Sequence, residues 1–73
     1  MISCEGIVDL VEGETVHICV RYDGEAGVVH EGTAEIPLSA FPPEQQSAVT
    51  RGRIIECELD NTLLVTSVRA VGV

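Results

Sequence analysis

Pro42-Pro43-Glu44-Gln45-Gln46-Ser47-Ala48-Val49-Thr50 is the one stretch of this 73-residue chain that reads as helix, and it falls between the third and fourth of five strand-like runs. Proline has a fixed φ that suits a first helical turn, and Glu44 sits where a carboxylate favours the positive end of the helix dipole. Gly52, just after Arg51, is a natural stop. Ala48 and Val49 can then face a core, with Phe41 closing one end. Everything around this segment alternates with a period of two, the signature of half-buried strand. The spacing therefore predicts a small all-β protein in the order β-β-β-α-β-β.

Working outward, Ile2 to Val11 places Ile2, Cys4, Gly6, Val8 and Leu10 on one face and Ser3, Glu5 and Asp9 on the other, with Ile7 and Val11 breaking the phase. Glu12-Gly13-Glu14 turns the chain into Thr15 to Tyr22, where Val16, Ile18, Val20 and Tyr22 alternate against His17, Cys19 and Arg21. Asp23-Gly24 is a turn pair. Glu25 to Gly32 fits either a long loop or the start of the third strand. From Thr33 to Leu38 the alternation resumes, and Pro37, which cannot donate to a ladder, marks a strand end or a sheet edge.

Beyond the helical segment, Arg53 to Leu59 points Ile55, Cys57 and Leu59 inward, although Ile54 breaks the pattern. Asp60-Asn61 is a turn. Leu63 to Val71 is apolar on both phases, with Leu63, Val65 and Val71 on one and Leu64, Val68 and Ala70 on the other. One barrel wall needs a single apolar face, so a second buried surface is expected here or around Ile7, Val11 and Ile54. A five-stranded, partly open barrel of the OB type satisfies this order. It would occupy residues 1–73 as a single domain.

A chain of this length buries only roughly 60% of its unfolded surface, which leaves little room for a deep cleft or cofactor pocket. Hydrophobic residues make up 45% of it, yet Tyr22 and Phe41 are its only aromatic residues, so the core must be Val, Ile and Leu. No apolar run approaches the ~20 residues that cross a bilayer, and the opening Met-Ile-Ser-Cys-Glu-Gly lacks the basic and apolar regions of a secretory signal. The three cysteines, Cys4, Cys19 and Cys57, match no Cys-x-x-Cys framework and cannot all pair within one chain. Reduced thiols and a cytoplasmic location are the expectation.

Twelve Asp and Glu stand against four Arg and no Lys, a net charge of −8. Such a surface repels phosphate backbones and acidic membranes unless the arginines cluster. Acidic pairs at Glu12 and Glu14, Asp23 and Glu25, and Glu56 and Glu58 lie in turns or on an outer strand face and read as solvated surface that keeps strand edges apart. His17 and Cys19 point to the same side of one strand, half of what a zinc site needs, with no third or fourth ligand placed beside them. Cys57 reads as a small core hydrophobe. No nucleophile elbow, phosphate-binding glycine loop or zinc-protease motif is present, so neither an enzyme nor a cofactor is expected.

Gly6-Ile7-Val8 and Gly27-Val28-Val29-His30 resemble segments of ribosomal S1-type RNA-binding domains, and Arg51 to Asp60 resembles their fourth strand. That resemblance implies an OB barrel that binds RNA, with Tyr22 and His30 nearest its contact positions; in the nucleic-acid reading Arg21 and Arg53 are further candidate contacts, although Arg21 points to the face opposite Tyr22. The family's second-strand Gly-Ala-Phe-Val pattern and its lysines are missing. Asp23-Gly24, Ile36-Pro37-Leu38, Pro42-Pro43 and Gly52 to Glu58 are similar to features of short uncharacterised bacterial β-barrel proteins, a likeness that implies no activity. The expectation that follows is a non-enzymatic acidic barrel that docks on a protein partner or forms a homodimer through its last or first strand. Single-stranded nucleic acid is the alternative partner, and a membrane is not expected.

Overall fold

The computed structural model describes residues 2–73. It contains a single antiparallel sheet of five strands, β1 (Ile2–Glu12), β2 (Thr15–Asp23), β3 (Val29–Pro37), β4 (Ile54–Leu59) and β5 (Val65–Ala70), in the spatial order β3-β2-β1-β4-β5. The expected barrel does not close. No ladder joins β3 to β5, and these two strands are the edges of an open sheet. Pro37 ends β3 on that edge, where its missing N–H leaves no ladder bond unmade. The ambiguous segment before β3 resolves into a tight turn at Glu25–Gly27, with Ala26 at φ +57°, and after Val28 the strand runs from Val29.

The central strand is long because it serves two partners. Ile2 to Ile7 pairs with β4, and Glu5 to Glu12 pairs with β2, so residues 5 to 7 are bonded on both sides. Gly6 sits in that doubly bonded stretch for a steric reason. A Cβ built there would lie 2.5 Å from the carbonyl oxygen of Cys19, a backbone atom that cannot move aside cheaply.

Two bulges account for the phase breaks at Val11 and in the last strand. Asp9 is the extra residue where Val8 pairs with Ile18 but Leu10 pairs with His17, so Leu10 turns outward and Val11 comes in to pair with Val16. The assignment of Leu10 to the inner face is thereby corrected. A second shift leaves Thr66 as the extra residue, since Glu58 pairs with Ser67 and Leu59 with Val65. Val65, Val68 and Ala70 therefore all reach the core side, and the last strand does not present two apolar faces. Leu63 and Leu64 lie exposed in the turn ahead of it.

The expected helix is also corrected. Pro43–Ala48 forms 3₁₀ turns, and Leu38–Ala40 adds another, while no α-helix occurs among the described residues. Two prolines remove donors at the start, six residues are too few to repay α-helical nucleation, and the glutamine amides are engaged elsewhere. Gln46 donates to the Phe41 carbonyl at 3.2 Å. Gln45 donates to the carbonyl of Ala70 at 3.2 Å and accepts from its N–H at 2.8 Å, so one side chain occupies both edge groups of that β5 residue. Phe41 and Val49 are buried within the core cluster as expected, while Ala48 is half-buried.

Val8, Val16, Ile18, Ile55 and Leu59 fill the middle of the core with almost no exposure. Cys4 and Cys57 are opposite one another in the β1–β4 ladder, 5.4 Å apart at Cα, and form a disulfide. The expectation of three reduced thiols is corrected for this pair. Its cause is register, which brings together two inward cysteines 53 positions apart. Cys19 is the free cysteine.

Candidate interaction face

Because side chains alternate across a strand, the ladders stack the outward residues of neighbouring strands into transverse rows. One row runs through every strand: Glu31 pairs with Arg21, Arg21 with Glu5, Glu5 with Glu56, and Glu56 with Arg69. All five are exposed. Arg69 donates to Glu56 through Nε at 3.1 Å and Nη2 at 2.5 Å. Glu5 and Glu56, by contrast, are like charges set directly opposite, an arrangement that is unfavourable in an isolated sheet.

The next outward row is largely apolar. Thr33 pairs with Cys19, Cys19 with Ile7 and Ile7 with Ile54, and the N–H of Val71 extends the row by donating to the Ile54 carbonyl at 2.9 Å. Ile7 is 41% and Ile54 50% exposed, a large fraction for two adjacent isoleucines. Between the two rows lies an open depression of about 510 Å³ floored by the backbone of Gly6, Val20 and Gly32. A second depression of about 950 Å³ flanks the charged row on its other side, with Ser3, Asp23, Glu58 and Ser67 among its lining. The charged row is a ridge between two grooves.

The residues marked for nucleic-acid contact do not share one surface. Tyr22 and His30 pair across β2 and β3, and their rings stack with centroids 5.1 Å apart and an 18° interplanar angle. Arg21 belongs to the opposite face of the same strand, inside the charged row. Arg53 is a brace, donating from Nε to the Ala48 carbonyl at 3.0 Å and from Nη1 to the Val71 carbonyl at 3.4 Å. Arg51 lies exposed in the turn before β4. The four cations are thus divided among the sheet face, a turn and a structural brace.

His17 and Cys19 keep the common side that their spacing implied, but different neighbours surround them. His17 Nδ1 lies 3.4 Å from Glu35, and its Nε2, buried without a hydrogen bond, is 3.7 Å from Glu12. Cys19 stands between Thr33 and Ile7. Among the described residues, no group of three or more His, Cys, Asp or Glu side chains is placed to hold a metal ion. Among the described residues, no helix is long and apolar enough to cross a membrane.

Sequence reasoning found Ile7 and Ile54 as phase breaks but missed the charged row altogether. Its signal, charges on outward phases of all five strands, takes shape only when the register is known. The chain matches no known protein family, no curated protein and no solved structure.

Proposed function

We propose that this domain is a non-catalytic contact module that works through the outer face of its sheet. The observation that carries this reading is the pair of exposed isoleucines, Ile7 and Ile54, adjacent in register and seated beside a groove on an otherwise acidic surface. Apolar side chains on a solvated sheet face lose free energy to water and regain it when a partner covers them, at roughly 25 cal/mol per Å². In this reading the partner is a protein surface or another copy of the chain, and no cofactor is required.

The open sheet is compatible with an OB-type barrel whose β3 and β5 edges are left unpaired. A second reading, single-stranded nucleic-acid binding, is favoured by one feature, the Tyr22 and His30 stack. Net charge opposes it, and Arg53 is occupied by two carbonyls. The test is capture from cell extract with wild-type protein, Ile7→Glu/Ile54→Glu and Tyr22→Ala, followed by identification of the protein and nucleic acid retained. Protein retained by wild type and Tyr22→Ala but lost with the isoleucine variant supports the contact face. Nucleic acid lost only with Tyr22→Ala would replace it with the second reading.

A further inference from the structure

We propose that the outer sheet face is a two-fold interface, its partner a second copy of the chain turned about an axis running along β1. This inference rests on the reading of that face as a contact surface and names its occupant. The charges in the row Glu31, Arg21, Glu5, Glu56, Arg69 run negative, positive, negative, negative, positive from β3 to β5. A two-fold along β1 sets this row against its own reverse. Glu31 then faces Arg69 of the copy, Arg21 faces Glu56 of the copy, and each relation recurs on the other side of the axis. Four of the five contacts are opposite in sign.

The apolar row obeys the same operation. Ile7 meets Ile7 of the copy on the axis, Cys19 meets Ile54, and Thr33 meets Val71. Two sheets in this arrangement keep their strands nearly aligned, as aligned sheet packing requires, with the charged ridge of one set against the charged ridge of the other. An isologous interface needs a surface that is complementary to itself, and both rows meet that condition about one axis.

Other arrangements satisfy the pattern less well. A two-fold along the charged row puts every charge against its own kind. A two-fold along the apolar row keeps the isoleucine contact but places Glu31 toward Glu35 of the copy and Arg21 toward His17. A uniformly basic or acidic partner meets repulsion from the arginines or from the glutamates of the ridge. The opposed Glu5 and Glu56, unfavourable within one chain, are separated in role here, since Glu56 gains Arg21 of the copy in addition to its own Arg69. Glu5 meets its like on the axis, and in the adjacent outward row Asp23 meets Glu58 of the copy, so the opposite-sign contacts of the ridge outnumber the like-sign contacts of the face by four to three.

The experiment is sedimentation equilibrium over a concentration series reaching about 0.5 mM, where a small sheet-on-sheet contact would be populated. Folding of every variant is checked by circular dichroism. Wild type should move from monomer to dimer mass. Arg21→Glu and Glu56→Arg should each weaken the dimer by about tenfold or more, and the double variant Arg21→Glu/Glu56→Arg should recover most of that loss, because the swapped charges face each other again. Glu5→Gln should tighten the dimer by removing the like-charge contact on the axis, and Ile54→Glu should abolish it.

A wild-type chain that stays monomeric throughout would overturn the proposal, and so would a dimer indifferent to Ile54→Glu or a double variant no better than its parents. If the chain is monomeric while Ile54→Glu still abolishes capture of another protein, the contact face stands and the two-fold falls.

Discussion

Single residues decide the shape of this sheet at two places. At Gly6 the Cys19 carbonyl occupies the space a side chain would need, and the residue is tied to β2 and β4 at once, so neither neighbour can yield alone. Gly6→Ala should lower stability by about 2 kcal/mol or more, read as a shift in the urea midpoint with unchanged slope. Asp60 organises the β4–β5 turn from the surface. Its carboxylate accepts from the Thr62 hydroxyl at 2.6 Å, from Leu64 N–H at 3.0 Å and from Thr62 N–H at 2.8 Å. These bonds, the Thr62 hydroxyl first, hold its pKa below the ordinary value of 3.8.

A folded-state pKa below the unfolded one means that the Asp60 contribution is present above the unfolded pKa and is lost as pH falls through the folded one. The stability difference between wild type and Asp60→Asn should accordingly be flat above about pH 5 and shrink below about pH 4. Thermal melts of the two proteins across pH 2 to 7 would check it, and a difference that grew on acidification would contradict the sign. Leu63, in the same turn, has φ of +66°, a conformation that the anchored Asp60 bonds impose on a residue with a side chain.

At the scale of elements, the strands were legible where alternation survives, and the turn segments at 12 to 14 and 23 to 24 carried residues suited to turns, whereas Val29 to Gly32, the exposed first half of β3, offered no alternation to read. The bulges were not legible. A strict period of two sends Leu10 inward, yet the pairing of Val8 and Val11 with inward residues of β2 requires one extra residue between them, and only the ladder shows that it is Asp9. The same holds for Thr66, whose insertion turned an apparent two-faced strand into a one-faced one. The segment from 42 to 50 was legible in position but not in type. Local sequence favours a helical start, whereas Gln45 gains more by satisfying two groups on the edge of β5 than by extending the helix.

That edge capping has a measurable consequence. Without the Gln45 amide, the N–H and C=O of Ala70 lose their partners on the side away from β4, and the 3₁₀ segment loses one of its polar links to the sheet, the Arg53 brace remaining. Gln45→Ala should cost about 1 to 2 kcal/mol in chemical denaturation, and amide exchange should quicken at Ala70 before it does at Ile55 or Cys57 in the adjacent strand. Uniform quickening across both strands would mean that the glutamine supports the whole sheet and not its edge.

For the whole molecule, the disulfide is the feature with the largest energetic reach. A chain this short draws limited stability from one aliphatic core, and small domains commonly add a covalent staple. The Cys4–Cys57 bond closes a loop of 53 positions that contains β2, β3 and the 3₁₀ segment, so it restricts most of the unfolded chain. In the loop-closure account, a loop of that length is worth about 4 kcal/mol through lost entropy of the unfolded state. Composition could not reveal this, because three cysteines at irregular spacing look unpaired until β1 and β4 are set in register. The cytoplasmic expectation leaned on reduced thiols, and that support is gone.

Urea denaturation with and without a strong thiol reductant should differ by about that amount, and Cys4→Ser/Cys57→Ser should reproduce the reduced protein. Cys19→Ser provides the control, because the free thiol contributes no loop closure and its replacement should leave the reductant effect intact. Identical denaturation curves in both conditions would place the two sulfurs in the core as unbonded neighbours and return the burden of stability to the aliphatic core alone.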